Sequence, residues 1–296
     1  MKEKYDIILV GHISKDIIIV KNRRTETLGG AVFYSSIAAK RSGVDVLVVT
    51  KLSEKDFSLL AYFEKEGIDT VPIPSRHTTS IENIYYTEDM DRRKVRLISR
   101  AEPFTLDDIP NVRANVIHLA GLFRGEIPDT LIEPLSERGA IALDVQGILR
   151  CSEEGKLLFK DWEKKEKLLP KITYLKTDTA EAEIITGITD REQAAKLLYE
   201  MGAREVMVTH SSEVILFDGK RIYRAPFTSE NLSGRTGRGD TCFASYLAYR
   251  ISHGIAEALN YAAALTSTKM ETPGPFQGTE SAVLERIERE KKNGDG

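Results

Sequence analysis

Two cysteines, one tryptophan and no long apolar run mark what this 296-residue chain goes without. Cys151 and Cys242 stand far apart, which excludes a scaffold built on several disulfides. One bridge is conceivable, but two reduced thiols are expected. No stretch is long and apolar enough to span a bilayer. A charge bias is missing too. The 42 basic and 45 acidic residues leave a net charge of −3, so the totals give no electrostatic case for nucleic acid or an anionic membrane. There is no internal repeat and no low-complexity tract. The N-terminal MKEKYDIILVG lacks the long apolar run and small-residue cleavage site of a signal peptide, so the expected location is cytoplasmic. No pair of histidines has metal-site spacing, and His12 and His118 read as satisfied core or strand-end residues. Trp162 lies in DWEKKEK, a charged segment that reads as an exposed face.

What the chain has is rhythm. Apolar runs of strand length recur at 5–10, 46–50, 116–120, 140–144, 173–176 and 205–209. Continuous apolar runs suit parallel strands buried on both faces. Helical patterns lie between them, roughly over 30–41, 53–66, 128–138, 179–186 and 191–201, with Gly43, Gly67, Gly139, Gly187 and Gly202 as stops. The pattern predicts one α/β domain over residues 1–296, a doubly wound, mostly parallel sheet flanked by helices. Two segments break the rhythm: 13–28, which holds DIIIV, and 74–100, which reads as a hairpin around EDMDRR. Neither has a helix partner. They predict a small β-sheet, either a simple edge extension or a lid over a site, and a lid with an apolar face would also suit a homodimer. Toward the C-terminus follow a hairpin around Asp218-Gly219 and helical patterns over 241–253, 256–270 and 281–292.

Just before the first of these helices stands GRTGRGDT, Gly234 to Thr241. It has the glycine spacing of a phosphate-binding loop, but Asp240 fills the place of the lysine. Backbone N–H groups in such a turn converge on an anion, and the helix N-terminus adds partial positive charge. Two roles are open to Asp240. One is a helix cap. The other is a general base that takes the proton of an attacking hydroxyl while the loop's N–H groups hold the transferring phosphoryl group.

The loop resembles the second signature of the ribokinase-like (PfkB-type) carbohydrate kinases, D-T-x-G-A-G-D. Other pieces follow in family order over nearly the whole chain. GGAVFYSSIAAKRSG, starting at Gly29, resembles the N-terminal G-G signature, and EAEIITG, starting at Glu181, resembles E-A-x-x-L-T-G. Asp144 ends a strand as in the family's D-P-N turn, and Asp16 follows the first strand where the family binds its acceptor.

The resemblance implies the ribokinase-like fold and a kinase that moves the γ-phosphate of ATP, with Mg²⁺, to a hydroxyl of a sugar, cyclitol or nucleoside. Asp240 is then the catalytic base, and Gly237, Arg238 and Gly239 form the anion hole. Asp16, Gly29, Gly30 and Tyr34 face the acceptor, with Gln146 and Arg150 as further candidates. Lys176, Asp178, Thr209 and Ser211 meet the nucleotide, and Glu181 with Asp178 organises Mg²⁺. Blander readings stay open: a tight turn at Gly29-Gly30, a surface carboxylate at Glu181, a structural turn with an exposed Arg150, and an Arg238 that points either at phosphate or at solvent. Departures from the family pattern are Asp178 for the asparagine of N-x-x-E, Thr209-His210-Ser211 for T-x-G, Gly234, which replaces an aspartate that binds a monovalent cation in several relatives and so makes cation activation doubtful, Arg238 for alanine, and Tyr34 for asparagine. Two other classes of function are weighed. A sugar- or nucleotide-binding sensor without turnover conflicts with the retained Asp240, Gly237 and Gly239. A dinucleotide oxidoreductase conflicts with GHISKD after the first strand, where G-x-G-x-x-G would stand.

Overall fold

A computed structural model describes residues 2–20, 23–85 and 93–294. Most of the EDMDRR turn lies outside them. The strands are β1 (Lys4–Val10), β2 (Ser14–Val20), β3 (Arg23–Gly29), β4 (Val46–Leu52), β5 (Asp69–Pro74), β6 (Thr79–Tyr85), β7 (Arg93–Ser99), β8 (Arg113–Leu119), β9 (Ala140–Asp144), β10 (Arg150–Glu153), β11 (Lys156–Phe159), β12 (Ile172–Asp178), β13 (Glu205–Thr209), β14 (Glu213–Phe217) and β15 (Ile222–Pro226). The helices are α1 (Ala31–Arg41), α2 (Ala61–Lys65), α3 (Ile132–Ser136), α4 (Gln146–Leu149), α5 (Lys165–Leu168), α6 (Thr179–Thr186), α7 (Arg191–Glu200), α8 (Arg238–Arg250), α9 (Ile255–Met270) and α10 (Glu280–Gly294).

Alternation along the apolar runs builds two core layers. Ile7 and Leu9 of β1 pack toward α1, α8 and α9, with Phe33, Phe243 and Tyr261. Ile8 and Val10 pack toward α3, α6 and α7, with Leu135, Ala182 and Leu198. A strand covered on both sides has no polar face, which is why these runs read as continuous. Nine strands form this main sheet in the order β15-β14-β13-β12-β9-β8-β1-β4-β5. The strands from β13 to β5 are parallel, and β14 and β15 close one edge as an antiparallel hairpin. The expected doubly wound fold is thus present.

A second sheet of six strands has the order β10-β11-β7-β6-β2-β3. Its centre, β2 beside β6, is the pairing expected between the two segments that lack helices. Three of its strands escaped the sequence reading. β3 (RRTETLG) is an exposed edge with no apolar alternation, and β10 and β11 are four residues each, too short to carry a period. Trp162 corrects another expectation. Its ring is 3% exposed and packs in the core, and Nε1 donates to Asp129 Oδ2 at 3.3 Å. The charges of DWEKKEK lie around it, not on it. Both cysteines are free. Among the described residues, no helix is long and apolar enough to cross a membrane.

Candidate active site

Between the two sheets, at the C-terminal ends of the parallel strands, lies a cavity of about 420 Å³. Open α/β sheets bind ligands on this edge. The smaller sheet contributes Asp16, Ile81, Asn83 and Val95 to its lining. The strand ends and the turns after them contribute Gln146, Arg150, Lys176, Asp178 and Thr209. The loop contributes Arg235, Gly237, Arg238, Gly239 and Asp240. Gly30 and Tyr34 at the α1 start and Leu122 after β8 line it as well.

The loop's local shape follows from its glycines and from α8. Gly237 is the N-cap, in the left-handed region at φ 78°, and no side chain caps the helix. Helix α8 begins at Arg238, three residues before the sequence reading placed it. Asp240 is therefore inside the first turn and is not the cap. First-turn N–H groups have no carbonyl behind them within the helix, and here that turn faces the cavity. The Arg238 N–H is turned back to Arg235 O at 3.1 Å. The Ser35 hydroxyl of α1 donates to Asp240 O at 3.2 Å and ties the two helices at the site.

Below the loop is a buried charge cluster. Lys176 Nζ donates to Asp144 Oδ2 at 2.9 Å and lies 4.0 Å from Glu181 Oε2. Burial works against this ammonium, but Asp144, Glu181 and Asp240 together hold its pKa above the ordinary lysine value. Burial, with Asp144 adding to it, pushes Asp240 up to about 6 against the pull of Lys176, Arg150 and Lys269. Glu181 is pushed up to about 7, again chiefly by burial, with Lys176 opposing. Such a raised carboxyl pKa suits a general base working near neutrality.

Most of the expected site residues meet at this cavity, though not all of them. Asp16 lines it, accepts from Ser14 Oγ at 2.7 Å, and lies over Gly29, which ends β3 and is itself absent from the wall. Gln146 opens α4, its N–H on Asp144 Oδ1. Arg150 is not the exposed turn residue of the bland reading, since Nε donates to Leu122 O at 2.7 Å and the guanidinium lies over the Phe123 ring. Asp178 caps α6 reciprocally with Glu181. Glu181 is buried, not a surface carboxylate, and is absent from the cavity wall. Ser211 also misses the wall. From Thr209↔Val214 onward β14 runs back along β13, so residues 210–212 form a hairpin turn that carries Ser211 beyond the sheet, exposed. Arg235, Asn83 and Asp144 are site residues that the sequence reading did not single out for a role there. Arg235 was legible as a second cation in the loop. Asn83 was not, because only the pairing of β6 in the smaller sheet brings it to the cavity.

Among the described residues, no group of three or more His, Cys, Asp or Glu could hold a metal ion. The donor set still fits Mg²⁺ at a phosphate, an ion that keeps several waters and needs only one or two carboxylates. Asp178 lines the wall and caps α6 reciprocally with Glu181, while Glu181 is absent from the wall and faces Lys176.

The pfkB carbohydrate kinase family model matches residues 4–281. This chain belongs to that family. It is a phosphotransferase that acts on a hydroxyl group, and the dinucleotide oxidoreductase alternative falls away. Solved structures of pyrophosphate-dependent kinases in the ribokinase family are 37–39% identical to it, cover 95–96% of this chain and 99% of theirs, and superpose with TM-scores of 0.87–0.88. One is complexed with a pyrophosphate analogue and myo-inositol, and another reports conversion of a myo-inositol-1 kinase into a myo-inositol-3 kinase by a double mutation. Cytidine kinase from Thermococcus kodakarensis is 25% identical over 82% of this chain and 87% of its own length. Inositol 3-kinase from Arabidopsis thaliana is 26% identical over 79% of this chain, which spans 65% of it.

Proposed function

We propose that this kinase takes its phosphoryl group from pyrophosphate, in place of the ATP that the motifs imply, and delivers it to a hydroxyl of an inositol-like cyclitol. The observation that carries the donor reading is the placement of two arginines, Arg235 and Arg238, on either side of Gly237 at the cavity wall, with Lys176 beneath. Pyrophosphate has no nucleoside to grip, so its affinity must come from charge and from bidentate guanidinium contacts. An adenine ring would find little here. Tyr34 is the one aromatic residue among those lining the cavity, and its ring is packed against the loop. The relatives at 37–39% identity support the same donor.

The acceptor end supports a ring with polar edges and apolar faces. Asp16 and Asn83 provide hydrogen-bonding groups, and Ile81, Val95 and Leu122 provide apolar walls. One carboxylate accepts from two neighbouring hydroxyls. The ionised Asp240 takes the proton of the attacking hydroxyl as its oxygen bonds to phosphorus and the bond to the second phosphate breaks, releasing orthophosphate. The loop's N–H groups and Arg238 hold the charge on the transferring group. Mg²⁺, held through Asp178, supplies charge neutralisation when bound. The smaller sheet acts as a lid that excludes water. A homodimer through that sheet fits the half-exposed Ile98 and Phe159 on its strands.

The test is direct. With Mg²⁺ and myo-inositol, kcat/KM is measured for pyrophosphate and for ATP, and the product is identified by mass and NMR. Pyrophosphate is expected to win by at least ~100-fold, a difference of about 2.7 kcal/mol. Arg238→Ala is expected to raise KM for pyrophosphate more than it lowers kcat. Turnover with ATP alone sinks the donor reading, and preference for a nucleoside sinks the acceptor reading.

A further inference from the structure

One buried cation is absent from the cavity wall. Lys269, in the last turn of α9, is 2% exposed, and its ammonium donates to the carbonyl oxygens of Gly234 and Thr236. The ring of Tyr34 covers it, with Nζ 5.1 Å from the centroid. Backbone carbonyls and a π face thus replace water around a single positive charge, as carbonyls do around a dehydrated monovalent ion. Burial lowers its pKa to about 8, with Asp240 pulling the other way.

The direction of those carbonyls matters. In a trans peptide the C=O and the N–H point to opposite sides. With Gly234 O and Thr236 O turned down onto Lys269, the N–H groups of Arg235 and Gly237 point away from it, on the side where both residues line the cavity.

A second observation is independent of the lysine. At position 234 a Cβ would lie 2.0 Å from Thr272 O and 2.8 Å from Lys269 O. The loop lies flat on the end of α9, with Gly234 N donating to Met270 O at 2.7 Å. No carboxylate side chain fits there to help bind a free ion. The chain has closed off one way of holding a cation beneath the loop and provides a cation of its own.

We propose that Lys269 is a tethered monovalent cation. Its ammonium holds the carbonyls of Gly234 and Thr236 so that the loop presents N–H groups to the donor phosphate, and the enzyme needs no potassium or other added monovalent ion. Lys269 is a positioning residue that acts through the loop. The inference does not depend on whether the donor is pyrophosphate or ATP.

The experiment uses the full chain with whichever donor it turns over, at constant ionic strength in chloride salts of tetramethylammonium, sodium, potassium or ammonium. Wild type is expected to run at the same rate in all four. Lys269→Ala, which removes the charge and leaves room, is expected to lose at least ~10-fold in kcat, about 1.4 kcal/mol of transition-state stabilisation. Potassium, ammonium or methylammonium is expected to restore that rate with saturation, and tetramethylammonium is not. Stimulation of wild type by potassium over tetramethylammonium refutes the proposal without any variant. So does a folded Lys269→Ala whose rate no small cation raises. Lys269→Met keeps the volume without the charge and serves where the alanine variant fails to fold. Its kcat is expected to fall as well, and an unchanged kcat refutes the proposal.

Discussion

The ring of Tyr34 occupies the space that any side chain at position 237 would need: a Cβ on Gly237 would lie 2.3 Å from Tyr34 Cγ. Gly237 also sits at φ 78°, where other residues are strained. The cap of α8 and the start of α1 are thus fitted to each other by shape. Gly237→Ala is expected to lower thermal stability, with strain of about 1–3 kcal/mol, and to reduce kcat more than KM, because the loop shifts away from the phosphoryl group. A Gly237→Ala protein that melts and turns over like wild type would show that the loop yields freely.

Asp240→Asn separates chemistry from stability. Removing the base is expected to cost about 10²–10⁴-fold in kcat, with donor binding nearly intact. In wild type, kcat/KM should fall as pH drops through about 6, the point to which burial lifts this carboxyl. The stability effect has the opposite sign. The folded pKa lies above the unfolded value of about 3.9, so the folded protein binds the proton more tightly in between and loses stability as pH rises through that window. The asparagine variant is expected to melt higher than wild type above pH 6, with the gap closing toward pH 4. Calorimetry across that range checks it, and a variant that melts lower at pH 8 contradicts the assigned environment.

Asn83 and Val95 face each other across β6 and β7 and both line the acceptor end of the cavity. Asn83→Leu replaces the amide with an apolar side chain where a ring hydroxyl would sit. With a cyclitol acceptor it is expected to change which hydroxyl is phosphorylated, or to lower kcat/KM by about 10–100-fold, on the order of one lost buried hydrogen bond. NMR of the product distinguishes the two. A variant with the same product and the same kcat/KM places the amide outside acceptor recognition.

The main sheet was legible in the sequence because strands covered on both faces must be apolar throughout. The glycine–aspartate loop was legible because few residues tolerate its backbone. What stayed hidden was of two kinds. Short or edge strands such as β3, β10 and β11 take their stability from neighbours and leave no period of their own. Side chains such as Asn83 and Lys269 owe their place to contacts distant in sequence. Lys269 lies 35 positions from Gly234, inside an Ala-rich helix where a lone lysine reads as a surface residue. Ser211 shows the reverse case: its place after a strand end looked like a ligand position, and the return of β14 took it away.

Four of the side chains at the acceptor end, Asp16, Ile81, Asn83 and Val95, ride on strands of the smaller sheet, whereas Leu122, Asp240 and the glycine loop belong to the main body. A change of letter on β2, β6 or β7 leaves the first turn of α8 untouched. Selection can therefore rewrite what this enzyme accepts without reopening how it moves a phosphoryl group, and the two traits can drift at different speeds along one chain.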